Sequence, residues 1–517
     1  MKTFSNLIHK ALAITCMTVP VIWSISCTDK FEEINTDKTK ISVIGKSEIP
    51  YLFAKAQSSG TLSAYVYQVG QNLFSDQYAQ YFACVATYFP SDRFVIRMDW
   101  LSGPWNSIYT EAVPQMKTIL ENTDASSAEN AITNIWWVWV FHRWTDHIGP
   151  IPYFKAGEPA QSVPYDSQQA IYDDFFKRLD AATTVLKGKT GEKPFGAFDL
   201  IYGGDVAKWI KFANTLRLRL ALRISKVDPA KAKAQAEAAV AGGVLTTSPD
   251  EDALVKRSAK GNDFNGLSIM SDWNEFRMSA SMESVLKGYD DPRMPVYFLP
   301  AVKTNTFEGL RNGLTATQLT DPSNTADYNS HVGQRWTSAG LETPQNVMAV
   351  AEAYFLRAEG AVNGWNMGGT AKDFYEKGIE NSMKQWGIAD AAAIKAYQAS
   401  TKTPVAPNDF LKSPALSNVP VAWGATEAVQ REQIATQKWL ALFPDGFEGW
   451  AEYRRTRYPK LYPVANSDNP DIPAGGVLRR IPFLDVERQT NSAEVIKAAG
   501  LLGGPDKVTT PLWWDKN

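Results

Sequence analysis

Apolar residues recur along most of this chain at intervals of three and four, the period of a helix with one buried face. Ser126-x-x-Glu129 has the spacing of a capping box, and NAITNIWWVWVFHRW follows it, which predicts a helix start. Upstream, PWNSIYTEAVPQMKTILEN (104–122) also reads as helix, with a kink expected near Pro114. Asp166-x-x-Gln169 opens a third stretch, where Ile171, Phe175, Leu179, Ala182 and Leu186 keep a period close to that of a helix. Val206, Trp209, Ala213, Leu216, Leu220 and Ile224 repeat the pattern, and Asp228-Pro229 then places a cap before a first-turn proline. Gly242-Gly243 is the expected stop of that helix. Thr343-Pro344 is a second start signal with Gly364 as its stop. Thr370-x-x-Asp373 is a third, with Phe374, Ile379, Met383 and Trp386 on one face and Gly387 at the end.

These signals predict consecutive-helix pairs over about 104–148, 206–242 and 344–387. Small residues in MAVAEAYFLRAEGA permit close helix approach. The expected fold is mainly α, a scaffold of tetratricopeptide-like hairpins that must stack to bury their apolar faces, although the strict repeat period is absent. Four long stretches lack the period: 85–103, 243–342, 388–424 and 459–517. They are rich in Gly, Pro, Asn, Asp and Ser, and should build one irregular face.

The N-terminus breaks the helical pattern differently. Lys2 and Lys10 precede ALAITCMTVPVIWSIS, an uncharged run too short to cross a bilayer comfortably and interrupted by Pro20. A basic start, a short apolar run and small residues before a cut read as a secretory signal over 1–26. Ser24-Ile25-Ser26-Cys27 is similar to a bacterial lipobox with Cys27 acylated, although Ser24 stands where an aliphatic residue is usual. An ordinary signal with an incidental cysteine remains the plainer alternative. A polar tether (27–42) and a single helical domain (43–517) would follow.

Composition narrows the function classes. Of 517 residues 44% are hydrophobic and 21% charged, as in a folded globular protein. A net charge of −2 offers no basic field for nucleic acid. Cys16, Cys27 and Cys84 supply no disulfide framework. His142 and His147, five residues apart, sit poorly together on one helical face, so no metal site is expected. Aromatics reach 12%, with 17 tryptophans, which requires a large core or an aromatic binding surface.

Several segments recur in an order that resembles a known family. They are FEEINTDK, RWTDHIGPIPY (143–153), GYDDPRM (288–294), AYFLRAEGAVNGW (353–365), TQKWLALFPDGFEGWAEYRRTRYP (436–459), LRRIPF (478–483) and VTTPLWWDKN. Together they resemble the SusD/RagB family of outer-membrane lipoproteins of Bacteroidetes, in particular its SusD-like subgroup, and 436–459 is the most specific block. The resemblance implies four tetratricopeptide-like hairpins and a cell-surface lipoprotein of the outer membrane without catalytic activity or cofactor. Such a protein binds a nutrient, usually a glycan or oligosaccharide and in some relatives a peptide. It caps a SusC-like TonB-dependent transporter as its lid and touches the membrane only through its lipid anchor.

Two other classes compete with that expectation. A surface helical glycoside hydrolase would use paired carboxylates, and Lys438, Asp445, Glu448, Glu452, Arg454 and Arg455 are charged enough to suggest a cluster. The plainer reading is a helix, a Pro444-Asp445-Gly446 turn and a second helix whose charges pair locally. Arg143, Asp146 and His147 pose the same choice, the plainer reading being an Arg143–Asp146 pair at a helix end. No GxSxG, P-loop or HExxH pattern occurs. A peptide-binding helical scaffold is the third class.

The tryptophans divide by context. Trp136, Trp137, Trp139, Trp144, Trp209, Trp365, Trp386, Trp439 and Trp450 lie in helical patterns and are expected in the core. Trp100, Trp105, Trp273, Trp336 and Trp423 lie in or beside loops. A sugar ring has an apolar C–H face that a flat aromatic covers while polar neighbours meet its hydroxyls. On that ground TYFPSDRFVIRMDWLSGPWN (87–106) offers Tyr88, Arg93, Trp100, Trp105 and Asn106, and DFNGLSIMSDWNEFRM (263–278) offers Trp273 beside Asp272, Asn274 and Arg277. Trp100 and Trp273 are the leading candidates, with Trp336 a further one. Nothing in the sequence places the two segments on one face.

Overall fold

The computed structural model describes residues 45–517; the predicted signal peptide (1–26), Cys27 and the tether (27–42) lie outside the described residues. From the N-terminal side the helices are α1 (Ile49–Gly60), α2 (Ser102–Asn106), α3 (Val113–Asn122), α4 (Ala128–Ile148), α5 (Gln168–Leu186), α6 (Val206–Arg223) and α7 (Pro229–Ala241). Short helices α8 (Gly266–Ser271), α9 (Ala280–Gly288) and α10 (Met294–Tyr297) come next. Then follow α11 (Val350–Val362), α12 (Ala371–Gln385), α13 (Ala391–Gln398), α14 (Glu427–Leu442), α15 (Gly446–Thr456), α16 (Asp485–Thr490) and α17 (Ser492–Ala499). Four short strands, β1 (Phe82–Cys84), β2 (Ala253–Val255), β3 (Phe276–Met278) and β4 (Gln345–Met348), form two antiparallel pairs, β1–β3 and β2–β4. The mainly α expectation holds.

Four helix pairs pack as hairpins: α4–α5, α6–α7, α11–α12 and α14–α15, with α5 against α6 and α11 against α14 joining neighbours. Residues Ile49–Asn517 form one compact unit. The first expected pair is present, α3 packing against α4, but α4 packs more extensively against α5 on its other side in the chain. The upstream segment is broken into α2, a π-helical turn (Ser107–Ala112) and α3, with Pro114 in the first turn of α3.

Two helix starts lie one residue beyond the sequence signal. Ser127, not Ser126, caps α4 by accepting from Asn130 N at 3.1 Å, because the Ser126 hydroxyl is spent on Asp124 at 2.6 Å. Ser167, not Asp166, caps α5, because the Asp166 carboxylate already accepts from the Tyr153 and Phe154 N–H groups at 3.1 and 2.8 Å. Thr343-Pro344 leads into β4 instead of a helix. Helix α11 begins after it, and Asp252, far away in sequence, accepts from Val350 N at 2.7 Å. Asp228 and Thr370 cap α7 and α12 as expected.

The stretches without helical period are not all irregular. The 243–342 segment contains β2, α8, β3, α9 and α10, elements too short to show a period in sequence. Among the core tryptophans, Trp136 and Trp139 stack 4.4 Å apart and Trp209, Trp439 and Trp450 are buried. Trp365 and Trp386 are only half-buried, against expectation. No helix among the described residues is long and apolar enough to cross a membrane.

Candidate ligand-binding face

The β1–β3 ladder brings the two candidate loops together. Its register pairs Phe82 with Met278 and Cys84 with Phe276, and Val85 N donates to Glu275 O at 2.9 Å just beyond it. A third segment, the turn after α1, joins them. Ala64 N donates to Phe264 O at 2.9 Å, and Gly266 lies so close to this turn that a Cβ there would fall 2.1 Å from Tyr67 Cβ. Leu62, Ala64 and Asn274 are held at φ of 54°, 50° and 59°, a left-handed conformation that costs a non-glycine residue about 1 kcal/mol or more. These strained positions flank Tyr65 and Trp273.

The outcome is an aromatic face built from three distant segments. Tyr65 and Trp273 lie nearly parallel, 6° apart in plane with ring centroids 6.0 Å apart, and are 61% and 39% exposed. Tyr88 is 66% exposed and its hydroxyl donates to Glu275 Oε1 at 2.7 Å. That hydrogen bond to the carboxylate pushes the Tyr88 hydroxyl up to about 12, so it remains a donor at neutral pH. Gln68 Nε2 donates to the other oxygen of Glu275 at 2.5 Å. Phe89 meets Tyr88 edge-on at 4.5 Å and Trp100 at 5.5 Å, which links Trp100 to the same run of rings. Arg97 lies over the half-buried Trp100, 4.6 Å from its centroid.

Other candidate positions have structural surroundings. Arg93 is buried; it donates to Asp468 at 2.7 Å and to Leu314 O at 3.0 Å, pinning the 85–101 loop from beneath. Trp105 is buried against Tyr109 and Trp144, with its indole N–H on Glu487 at 3.2 Å, and so presents no open ring face. Asn106 is exposed at the end of α2. Arg277 is buried and donates to Asn274 Oδ1 at 2.6 Å, holding the tip that carries Trp273. Trp336 is buried between Trp386 and Phe443, and one side of it lines a small cavity.

Tyr65, Gln68, Phe89 and Glu275 escaped sequence reasoning. Tyr65 and Tyr67 share one short segment, yet Tyr67 is buried with its hydroxyl on Asp76 at 2.8 Å. Only the turn geometry separates them.

The charges that suggested catalysis are internal. Arg223 of α6 binds Glu448 at 2.6 Å, Glu452 at 2.8 Å and Asp146 at 3.2 Å. Arg219 binds Glu352 at 2.6 Å; Arg455 bridges Glu359 and Glu452 at 2.6 and 2.7 Å, and Lys438 reaches Glu452 at 2.9 Å. The expected local pairing holds for Arg455–Glu452 and, across the turn, for Lys438–Glu452, and is corrected for Glu448, which pairs with Arg223 of another hairpin. The Arg143–Asp146 pair is corrected likewise: Arg143 binds Asp445 at 3.1 Å, and Asp146 turns to Arg223. Burial by itself would raise the Glu452 carboxyl, but Arg455, Lys438 and Arg223 outweigh burial and hold it well below the usual range. A carboxyl kept ionised in this way is unsuited to donate a proton to a leaving group.

Comparison with known proteins agrees with this architecture. The family model SusD-like, described as Susd and RagB outer membrane lipoprotein, matches residues 28–515. A solved chitin-binding SusD homolog from Flavobacterium johnsoniae is 37% identical, with a TM-score of 0.84, over 91% of this chain and 99% of its own. A SusD-like protein from Bacteroides thetaiotaomicron is 31% identical, with a TM-score of 0.83, over 91% and 99%. A structure described as a chitin-binding protein is 30% identical, with a TM-score of 0.75, over 90% and 99%. Among curated proteins there is no significant match. The chain belongs to the SusD-like family.

Proposed function

We propose that this SusD-like protein is a non-catalytic capture protein of the cell surface, anchored in the outer membrane through Cys27. It binds a glycan of the β-linked N-acetylglucosamine type on the Tyr65–Trp273–Tyr88 face and serves as the lid of a SusC-like TonB-dependent transporter. The observation that carries this reading is the exposed, nearly parallel Tyr65–Trp273 pair, held by strained turns beside the Gln68–Glu275–Tyr88 hydrogen-bonding group. Parallel ring faces cover the C–H faces of sugar rings, and the adjacent amide and carboxylate meet hydroxyls and N-acetyl N–H groups. Two of the related structures described as chitin-binding support the choice of sugar. The ion-paired state of the buried carboxylates speaks against the hydrolase reading.

Calorimetry with chitohexaose on the full-length protein in detergent tests the binding step. Saturable binding that disappears in Tyr65→Ala/Trp273→Ala is expected; undiminished affinity in that double variant would remove the face from the proposal. Pull-down of the tagged protein from its native membrane tests the partnership, and recovery without a large β-barrel protein would count against it. Release of the Cys27→Ala variant from membranes tests the anchor.

A further inference from the structure

The aromatic face carries one charge for which the protein supplies no counter-charge. Tyr65 and Gln68 lie one turn apart, with Gln68 N donating to Tyr65 O at 3.3 Å. Trp273 and Glu275 are two residues apart, a span of at most about 7 Å. The two segments are clamped together twice, by the Tyr65 and Trp273 rings 6.0 Å apart and by Gln68 Nε2 on Glu275 Oε2 at 2.5 Å. The Glu275 carboxylate is therefore fixed beside the ring pair.

Both groups that donate to this carboxylate, the Tyr88 hydroxyl and the Gln68 amide, are neutral. No lysine or arginine forms an ion pair with Glu275 among the described residues. Arg277, two residues on, is buried and gives its N–H groups to Asn274 Oδ1, Phe276 O and Ala326 O. Interior carboxylates are treated differently: Glu448 and Glu452 meet guanidinium groups at 2.6 and 2.7 Å. A carboxylate has room for about four donors. Each Glu275 oxygen therefore keeps a lone pair, and the side chain is only half-buried.

Both parts of this surface favour a cation. A carboxylate attracts a cationic donor by charge and hydrogen bond together, and the faces of Trp and Tyr attract cations through their ring quadrupoles. An N-acetylglucosamine unit offers only neutral donors. Removal of its acetyl group leaves an ammonium with three donors on the same carbon, and the C–H face of the ring is unchanged.

From this complementarity we infer that Glu275 selects a free amino sugar. The ligand is a β-linked glucosamine chain from which some acetyl groups have been removed, with one ammonium on Glu275 and a neighbouring unit on the Tyr65–Trp273 rings. The inference rests on the glycan-binding reading of this face and refines its substrate class.

The test is calorimetry on the full-length protein in detergent at about pH 6, where an amine is protonated. The probes are β-(1→4)-linked hexaglucosamine, chitohexaose, cellohexaose, which has a hydroxyl in place of the amine, and hexalysine. Hexaglucosamine binds roughly 10-fold more tightly than chitohexaose or cellohexaose, the effect of one charge-assisted contact on a half-exposed surface. Raising NaCl from about 50 to about 500 mM removes most of that preference. In Glu275→Gln, which keeps an acceptor for Tyr88 and lets the Gln68 amide turn to accept, the ratio of hexaglucosamine to chitohexaose affinity falls by roughly 10-fold. Chitohexaose binding reports that the face still stands in that variant. Chitohexaose bound as tightly as hexaglucosamine by the parent overturns the inference and spares the face. An unchanged ratio in Glu275→Gln limits Glu275 to holding Tyr88 and Gln68, and overturns it too. Equal affinity for hexalysine overturns the sugar. Binding of hexaglucosamine alone, dependent on Glu275, upholds the inference and removes the N-acetylated ligand, whereas binding of no probe removes both.

Discussion

In the hairpin scaffold, Arg223 meets Glu448 at 2.6 Å with both side chains out of solvent; in the loop-built face, Tyr88 meets Glu275 at 2.7 Å with its ring largely in water. Both contacts link residues far apart in sequence. The first lies in a net of Arg219, Arg223, Arg455 and Lys438 with Glu352, Glu359, Glu448 and Glu452, where every charge but Lys438, whose partner Glu452 is in its own hairpin, has a partner from another hairpin. The second ends in open aromatic surface. The charge-dense 436–459 block therefore lies in the interior, whereas Tyr65, Tyr88 and Trp273 of the loops lie outside. Buried ion pairs add little stability over apolar packing, but removing one member strands the other and is costly.

The largest effect should follow from breaking the net. Glu448→Ala strips Arg223 of one of its buried partners and should lower unfolding stability by about 3–5 kcal/mol in urea denaturation. A loss below about 1 kcal/mol would mean that water reaches these charges, and the contrast between the regions would collapse.

The next effect is in pH. Burial, reinforced by Arg219 near His142 and Arg454 near His147, holds both imidazoles well below their ordinary value. The unfolded chain takes up these protons below about pH 6.5 and the native state does not. Their contribution is thus present above that pH and lost as pH falls, each by about 1.4 kcal/mol per pH unit. Asp76, pushed up to about 7 by burial, works the other way, its contribution being lost as pH rises through 7. The difference in slope between parent and His147→Phe therefore isolates one histidine. Tm recorded from pH 7 to 5 should fall less steeply in the variant, and an unchanged slope would place His147 in contact with water.

A smaller effect should appear on the face. Trp273→Ala should cost about 2 kcal/mol of chitohexaose binding and no more than about 0.5 kcal/mol of stability. Comparable losses in both would make Trp273 a pin of its loop. The smallest belongs to Lys384→Ala, which breaks a half-exposed pair with Glu380 on α12 and should shift stability by about 0.3–0.5 kcal/mol. A larger shift would indicate that the scaffold's outer charges also belong to its net.

Much of the scaffold was legible because its signals are local. The Asp228-Pro229 cap, the Gly242-Gly243 stop, the Thr370 cap and the Pro444-Asp445-Gly446 turn each depend on residues within one or two helical turns, and each stands where the pattern places it. The helical character of α4, α5 and α6 follows equally from apolar spacing. Starts were misread by one residue where a neighbouring side chain was already engaged, as Ser126 is with Asp124. The candidate face was legible in part. Trp273 and Tyr88 could be singled out as loop aromatics, whereas Trp105, chosen on the same ground, lies buried.

What the sequence by itself determined is the helical alphabet of the chain, its turn points, and the motif order that identifies its family. Each depends on backbone geometry and side chains within a few positions of one another. Only the tertiary structure decided that Arg223 pairs with Glu448 across 225 residues, that Cys84 and Phe276 align so that two loops become one surface, and that Tyr65 faces out while Tyr67 faces in. A charge or an aromatic ring has the same local signature in either place. Its environment is set by which distant segments come to lie beside it, and that follows from burying the hairpins' apolar faces all at once.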